Sequence, residues 1–436
     1  MTTLAALQSG QLTGARRLDL ACGLTEFPPE IYDLADTLEV LNLSGNQLTA
    51  LPDDFGRLHK LKIVFLSQNR FEHLPEVLSH CPQLSIVGFK ANQIKTVSDR
   101  AFPPHLRWLI LTDNRIEYLP DSLGQCQHLQ KLMLAGNRLT TLPDLSACQN
   151  LELIRISANR LTELPDWLFH LPRLAWLAFA GNPCCPSPQH NLGRSLPQVP
   201  WPNLQMGELL GEGASGRIFQ AVWQRSDGPK PVAVKLFKGQ VTSDGLPESE
   251  MQACIAAGQH PNLVTAIAQV TGHPEGKPGL VLPLISPDYV NLGNPPSLAS
   301  CTRDTYPEGT QFSLAQVMGI ARGMASAAHH LHRTGILHGD FYPHNVLVNG
   351  SGHSLLGDFG AAAYCGTGQA AKKLERIEVR AFGYLLADLL HHCPAAASDT
   401  TSGKLRQLQQ RCLAERLGQR PDFEAIADVL RSLESP

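Results

Sequence analysis

One nine-residue pattern, LxxLxLxxN, recurs seven times as LEVLNLSGN, LKIVFLSQN, LSIVGFKAN, LRWLILTDN, LQKLMLAGN, LELIRISAN and LAWLAFAGN. Its asparagines, Asn46, Asn69, Asn92, Asn114, Asn137, Asn159 and Asn182, stand 22 or 23 residues apart. A degenerate first copy, ARRLDLACG, precedes them. A unit this short cannot bury its leucines alone, so the copies must stack and share one continuous core. Turns buried between copies need partners for their amides and carbonyls, which makes the asparagine column structural rather than ligand-binding. The pairs Leu51-Pro52, Leu74-Pro75, Leu119-Pro120, Leu142-Pro143 and Leu164-Pro165 fall on the returning segment, where proline ends strand pairing without harm.

The array resembles the leucine-rich repeat family over about residues 15–186, which implies an α/β solenoid, a horseshoe, for a domain placed at 1–186. Strand residues pointing away from the leucines then line its concave face. They are Val40, Asn42, Ile63, Phe65, Ile86, Gly88, Trp108, Ile110, Lys131, Met133, Leu153, Arg155, Trp176 and Ala178. Phe65, Trp108, Ile110, Met133 and Trp176 make that row apolar and aromatic, as a surface that docks a protein partner or substrate is.

Formal net charge is -3, with no long run of one sign, so nothing draws the chain as a whole to nucleic acid or acidic lipid. No stretch approaches the length needed to span a bilayer, and the N-terminus lacks a basic start before an apolar core; a cytoplasmic location is expected. Cys81, Cys126 and Cys148 take slots that leucines hold in sister repeats, which makes them core thiols, and no cysteine pair has zinc-site spacing. The proline-rich text PCCPSPQHNLGRSLPQVPWP, centred on 187–203, reads as a stiff linker that stays out of sheets, with Leu192, Leu196 or Trp201 available to cover the end of the array.

From residue 204 the text changes character. LQMGELL and RIFQAVW are strand-like runs on either side of Gly211-Glu212-Gly213-Ala214-Ser215-Gly216, a turn whose bare backbone can approach phosphates. Val232-Ala233-Val234-Lys235-Leu236-Phe237 places a lysine in a half-buried strand, where it needs an anionic partner. Residues 286–311, rich in Pro, Ser and Gly, read as a surface excursion; the helical period that follows ends at Gly335. Then comes ILHGDFYPHNVLVNGSGHSLLGDFG, in which two short apolar runs form a hairpin that brings Asn345 and Asp358 to one end. Two oxygen ligands for Mg²⁺ and one carboxylate, Asp340, suit phosphoryl transfer, where positioning and charge neutralisation carry the catalysis.

These segments resemble the protein kinase family over about residues 204–434: the glycine loop, VAVKLF, HGDFYPHN, DFG, and Glu378-Val379-Arg380-Ala381-Phe382-Gly383 in place of its DVWSFG. The resemblance implies an α+β bilobal kinase-like domain at 204–436, dependent on ATP and Mg²⁺ and acting on serine or threonine. By position Asp340 handles the acceptor hydroxyl, and Asn345 and Asp358 hold the metal. Lys235 pairs the phosphates with a helix glutamate, Glu250 in preference to Glu248. Gly211, Gly213, Ser215 and Gly216 cover the phosphates, while Ile218, Ala233, Leu282 and Ile285 border the nucleotide.

The departures are Gly339 where the family has arginine, Tyr342 where it has lysine, and the absence of an APE triplet. They imply a kinase not switched by activation-loop phosphorylation, indifferent to substitution of Tyr364 and Thr367. His344 or Lys372 is left to supply the missing cation, and Arg420 has no assigned partner. Two rivals stay open: a small-molecule phosphotransferase of the aminoglycoside or choline kinase type, suggested by HGD, and a nucleotide-binding pseudokinase scaffold.

Overall fold

The structure is a computed structural model of the 436-residue chain. It describes residues 3–185, 196–239, 241–394 and 400–433. The chain divides into two compact units, Met1–Arg173 with Asn182–Cys184, and Leu174–Gly181 with Cys185–Pro436.

In the first unit each repeat contributes one three-residue strand. Arg17–Asp19, Val40–Asn42, Ile63–Phe65, Ile86–Gly88, Trp108–Ile110, Lys131–Met133 and Leu153–Arg155 pair in parallel, without register shift. The central residue of every strand is buried, so the leucine slots make one core along the stack. Behind the prolines the chain returns through single 3₁₀ turns, among them Glu76–His80 and Asp121–Gln125.

The asparagine column does the work its spacing implies. Asn114 Oδ1 accepts from the Ile94 amide at 3.0 Å, and its Nδ2 donates to Phe89 O at 2.9 Å and Leu111 O at 3.1 Å. One side chain therefore ties two successive turns. Asn114→Ala leaves those groups buried without their partners, so urea unfolding should show a loss of about 3 kcal/mol.

The concave strip differs from expectation. Phe65, Trp108 and Ile110 are half-buried, whereas Met133 and Trp176 are only 7% and 1% exposed. Met133 lies beneath Trp108, whose indole N–H points at its sulfur across 3.3 Å, and the Lys131 ammonium sits 4.2 Å over the same ring. Trp176 belongs to the second unit and is covered there. Alternation identifies the face but not what lies on it.

Cys81 and Cys148 are buried and Cys126 half-buried; burial pushes the thiols of Cys81 and Cys126 up to about 12 and that of Cys148 to about 11, so they are inert packing groups.

The second unit opens on a six-stranded sheet in the order Gln198–Pro200, Ala268–Thr271, Gly279–Pro283, Gly228–Phe237, Gly216–Arg225, Leu204–Glu212. Its first strand corrects the reading of the proline-rich stretch: Gln198–Pro200 pairs in parallel with Gln269, Val270 and Thr271. An edge strand can carry proline because one side makes no ladder bonds. Trp201 packs against the core of this sheet and edge-on to His273. Leu192 lies outside the described residues.

Beyond the sheet come the helices Leu314–Arg333 and Gln369–His391, the first closed by a capping box of Ser313 and Gln316. Between them lies the hairpin Val346–Val348 with Ser354–Leu356. Residues 286–311 are a surface excursion only in part: 286–288 and 307–309 are exposed. Leu292, Cys301 and Thr302 are buried, Val290–Asn291 adds a strand to the hairpin, and Arg303 pairs with Asp388. Among the described residues no helix is long and apolar enough to cross a membrane.

Candidate active site

The antiparallel strands Leu204–Glu212 and Gly216–Arg225 are joined by the glycine turn, closed by a 2.9 Å bond from the Gly213 amide to Gly216 O. A Cβ at Gly211 or Gly213 would meet nothing within 4 Å, so the backbone there is bare to an approaching group. At Gly216 a Cβ would stand 2.5 Å from Leu236 O, a close approach only glycine permits. Lys235, on the neighbouring strand, forms an ion pair with Glu250 of the helix Pro247–Ala257. Glu250 is 3% exposed. Burial, and after it the nearby Asp358 carboxylate, raise its pKa against the opposing Lys235 charge.

Gly213, Ser215, Gly216, Ile218, Lys235, Glu250, Leu282 and Asp358 line one cleft. Gly211, Ala233 and Ile285 do not reach its lining: Ala233 is buried between Gln220 and Leu282 in the sheet. Thr242 and Asp244, which sequence reasoning missed, do line it. They form a turn in which Thr242 Oγ1 donates to Gly245 O at 3.0 Å, and the Asp-Gly pair there was the available signal.

Asp340 and Asn345, which are also absent from the cleft's lining, are tied to each other and to His338. His338, fully buried, bonds Gly357 O through Nε2 at 3.0 Å, and its Nδ1 accepts from the Asp340 amide at 3.3 Å. One imidazole thus links the Asp340 segment to the residue preceding Asp358. Asn345 Nδ2 donates to Asp340 Oδ2 at 2.8 Å and to Asp340 O at 2.9 Å. Val346 pairs with Leu356 and the Gly357 amide donates to Asn345 O at 2.9 Å, so the hairpin does bring Asn345 and the Asp358 segment to one end. Asp358 itself has φ +54°, left-handed backbone that aspartate tolerates better than most residues, and its Oδ1 accepts from the Gly360 amide at 3.1 Å.

A protein kinase family model, described as protein tyrosine and serine/threonine kinase, matches residues 204–382, and leucine-rich repeat models match 36–94, 82–139 and 127–183. The chain carries a protein kinase domain behind a leucine-rich repeat array. The chain is similar to the probable serine/threonine-protein kinase gdt4 of Dictyostelium discoideum, 28% identical over 35% of this chain and 8% of that protein. It is also similar to the DNA damage-responsive serine/threonine-protein kinase RqkA of Deinococcus radiodurans, 31% identical over 36% of this chain and 21% of that one. A third relative is the serine/threonine-protein kinase PknK of Mycobacterium tuberculosis, 29% identical over 39% and 15%. The likeness therefore spans about a fifth or less of each relative's length.

The kinase domain's departures from the family pattern have local causes. Gly339 has φ +74°, and a Cβ there would lie 2.6 Å from Leu177 O and 2.7 Å from Ala361 O, so no arginine fits. Its amide donates to Glu378 Oε1 at 2.7 Å, and Glu378 Oε2 meets His332 Nε2 at 2.8 Å. Burial works to raise the Glu378 pKa, but those bonds and the charges of His332 and His338 outweigh it and hold the carboxyl below its usual value. A depressed folded pKa means that Glu378 stabilises the fold above the ordinary carboxylate range and loses that effect as pH falls.

His344, two residues after Tyr342, is held by Asp304, which accepts from its backbone amide at 2.7 Å and meets Nδ1 at 2.8 Å. Burial disfavours the imidazolium, yet Asp304, Asp340 and Asp358 together raise its pKa. Lys372 is exposed on the helix Gln369–His391 and lines a separate surface pocket with Arg376 and Glu375. Arg420 is bound by main-chain carbonyls, Ala414 O at 2.9 Å and Arg376 O at 3.0 Å.

Proposed function

We propose that the chain is an ATP- and Mg²⁺-dependent protein kinase acting on serine or threonine hydroxyls, with a kinase module from about residue 204 and a repeat module, to about residue 186, that holds a protein partner or substrate. The observation that carries this reading is the Lys235–Glu250 ion pair set in the same cleft as Asp358 and the bare glycine turn. The cleft residues suit a nucleotide with its metal: an ammonium, hard oxygens and exposed amides are what phosphates and Mg²⁺ require. Among the described residues there is no cluster of three or more His, Cys, Asp or Glu able to hold a metal alone. Asn345 and Asp358 would be a two-residue holder completed by phosphate oxygens, as suits a cation that dehydrates reluctantly.

Bound Mg²⁺ would supply charge neutralisation at the transferred phosphate. Lys235, oriented by Glu250, would hold the phosphates; Gly213, Ser215 and Gly216 would close over them. Ile218 and Leu282 would form the apolar surround of the base. Asp340, fixed by the Asn345 amide, would orient the acceptor hydroxyl and take its proton. On the repeat module Phe65, Trp108 and Ile110 offer the partner an apolar strip.

The test is to incubate the full chain with labelled ATP and Mg²⁺ beside a cell lysate, kanamycin or choline, with Lys235→Met as the control. Label on protein serine or threonine with the wild type alone is the expected result. Label on kanamycin or choline and none on protein selects a small-molecule phosphotransferase, and ATP binding without any transfer selects the scaffold.

A further inference from the structure

The segment after Gly360 is short: residues 361–368 lead straight into the helix Gln369–His391, so little chain is left to brace the catalytic loop from that side. Another segment of the same unit stands there. Leu174–Gly181, the LAWLAFAG part of the last repeat, belongs by its contacts to the second unit and is buried from Leu174 to Ala180. The Trp176 indole N–H donates to Phe341 O at 3.2 Å. Its ring stacks on Tyr342 with centroids 4.1 Å apart and planes 6° from parallel, and on Tyr384 at 5.4 Å and 16°. Leu177 O is the atom that lies nearest to a Cβ built on Gly339.

Both unusual residues of the HGDFY text are thereby explained by one neighbour. Gly339 is small because the Leu177 carbonyl is close, and Tyr342 is aromatic because it faces an indole. The backbone passes the constraint onward: the Tyr342 amide donates to Asp340 O at 2.8 Å, and Tyr342 O accepts from the Asn345 amide at 3.0 Å. A ring fixed at Tyr342 thus fixes the turn that separates Asp340 from Asn345.

We infer that Leu174–Gly181 is the brace of the catalytic loop, and that Trp176 is a positioning residue for Asp340 and Asn345. The inference rests on the kinase reading for its effect on turnover but not for its effect on the loop. Offset stacking of two buried aromatic rings with a hydrogen bond at the rim orients a loop more closely than apolar burial alone. A displacement of about 1 Å at a reacting group can cost about a hundredfold in rate.

The experiment uses the full chain with Trp176→Leu, which removes stack and donor, and Trp176→Phe, which keeps a ring. Amide hydrogen exchange is followed at residues 338–345 and, for reference, in the strand Gly228–Phe237, together with kcat and KM for ATP. Trp176→Leu should speed exchange of the loop amides at least tenfold, leave the reference strand unchanged, and lower kcat about tenfold or more with KM for ATP within twofold. Trp176→Phe should restore most of both. Unchanged loop exchange in Trp176→Leu overturns the inference, as does faster exchange everywhere with kcat and KM altered together, the mark of a merely structural core residue. If the wild type transfers no phosphate but the loop amides respond as described, the kinase reading fails and the brace stands.

Discussion

Asp358→Asn should lower phosphate transfer on the order of a thousandfold while leaving the melting temperature nearly unchanged. The rate loss follows from removing a full negative charge where a metal must be held against phosphates, and electrostatic groups at such centres are worth roughly 10³–10⁵ in rate. The fold survives because Asn tolerates left-handed backbone as readily as Asp, so φ +54° is no obstacle, and the amide oxygen can still accept from Gly360. Single-turnover rates and a thermal melt on the same preparation check both halves. Transfer within tenfold of wild type would remove Asp358 from the metal site.

Gly339→Arg, which would restore the family's usual residue, should destabilise the kinase domain by about 3 kcal/mol or more. Left-handed backbone costs a side chain about 1–2 kcal/mol, and overpacking of a rigid neighbourhood adds roughly 1–3 kcal/mol. Here the obstructing atoms are the carbonyl oxygens Leu177 O and Ala361 O, which cannot swing away as a side-chain tip can. Gly339→Ala carries the same Cβ and should show most of the loss, a fall in melting temperature of roughly 6–12 °C. Equal melting of wild type and Gly339→Ala would mean that the loop has room the geometry denies.

The two halves of the chain were readable in sequence for different reasons. A strict period makes every repeat testify to the others, so the strands, the core leucines and the role of Asn46 to Asn182 could be assigned together. The kinase half was readable through short motifs whose residue types are dictated by phosphate chemistry. What escaped reading depended on contacts distant in sequence. Asp304 is placed by His344, forty residues on, and Arg303 by Asp388, anchors that composition did not reveal within the partly exposed stretch 286–311. Gln198–Pro200 escaped because proline excludes a central strand but not an edge one. Met133 and Trp176 were placed on the strip by alternation, and only the structure shows that each is covered. Arg420, which the sequence left without an assigned partner, is held by main-chain carbonyls.

The asparagine column also governs how such a chain can change length. Asn137 accepts from Ile116 and donates to Leu111 and Leu134, so its hydrogen bonds span two consecutive copies at a fixed offset. Inserting or losing a single residue between strands would put one amide out of phase with the next turn, whereas adding or excising 22 or 23 residues returns every asparagine to an equivalent berth. Growth or shrinkage of the array is thus quantised, and recombination between copies is the editing event its architecture forgives.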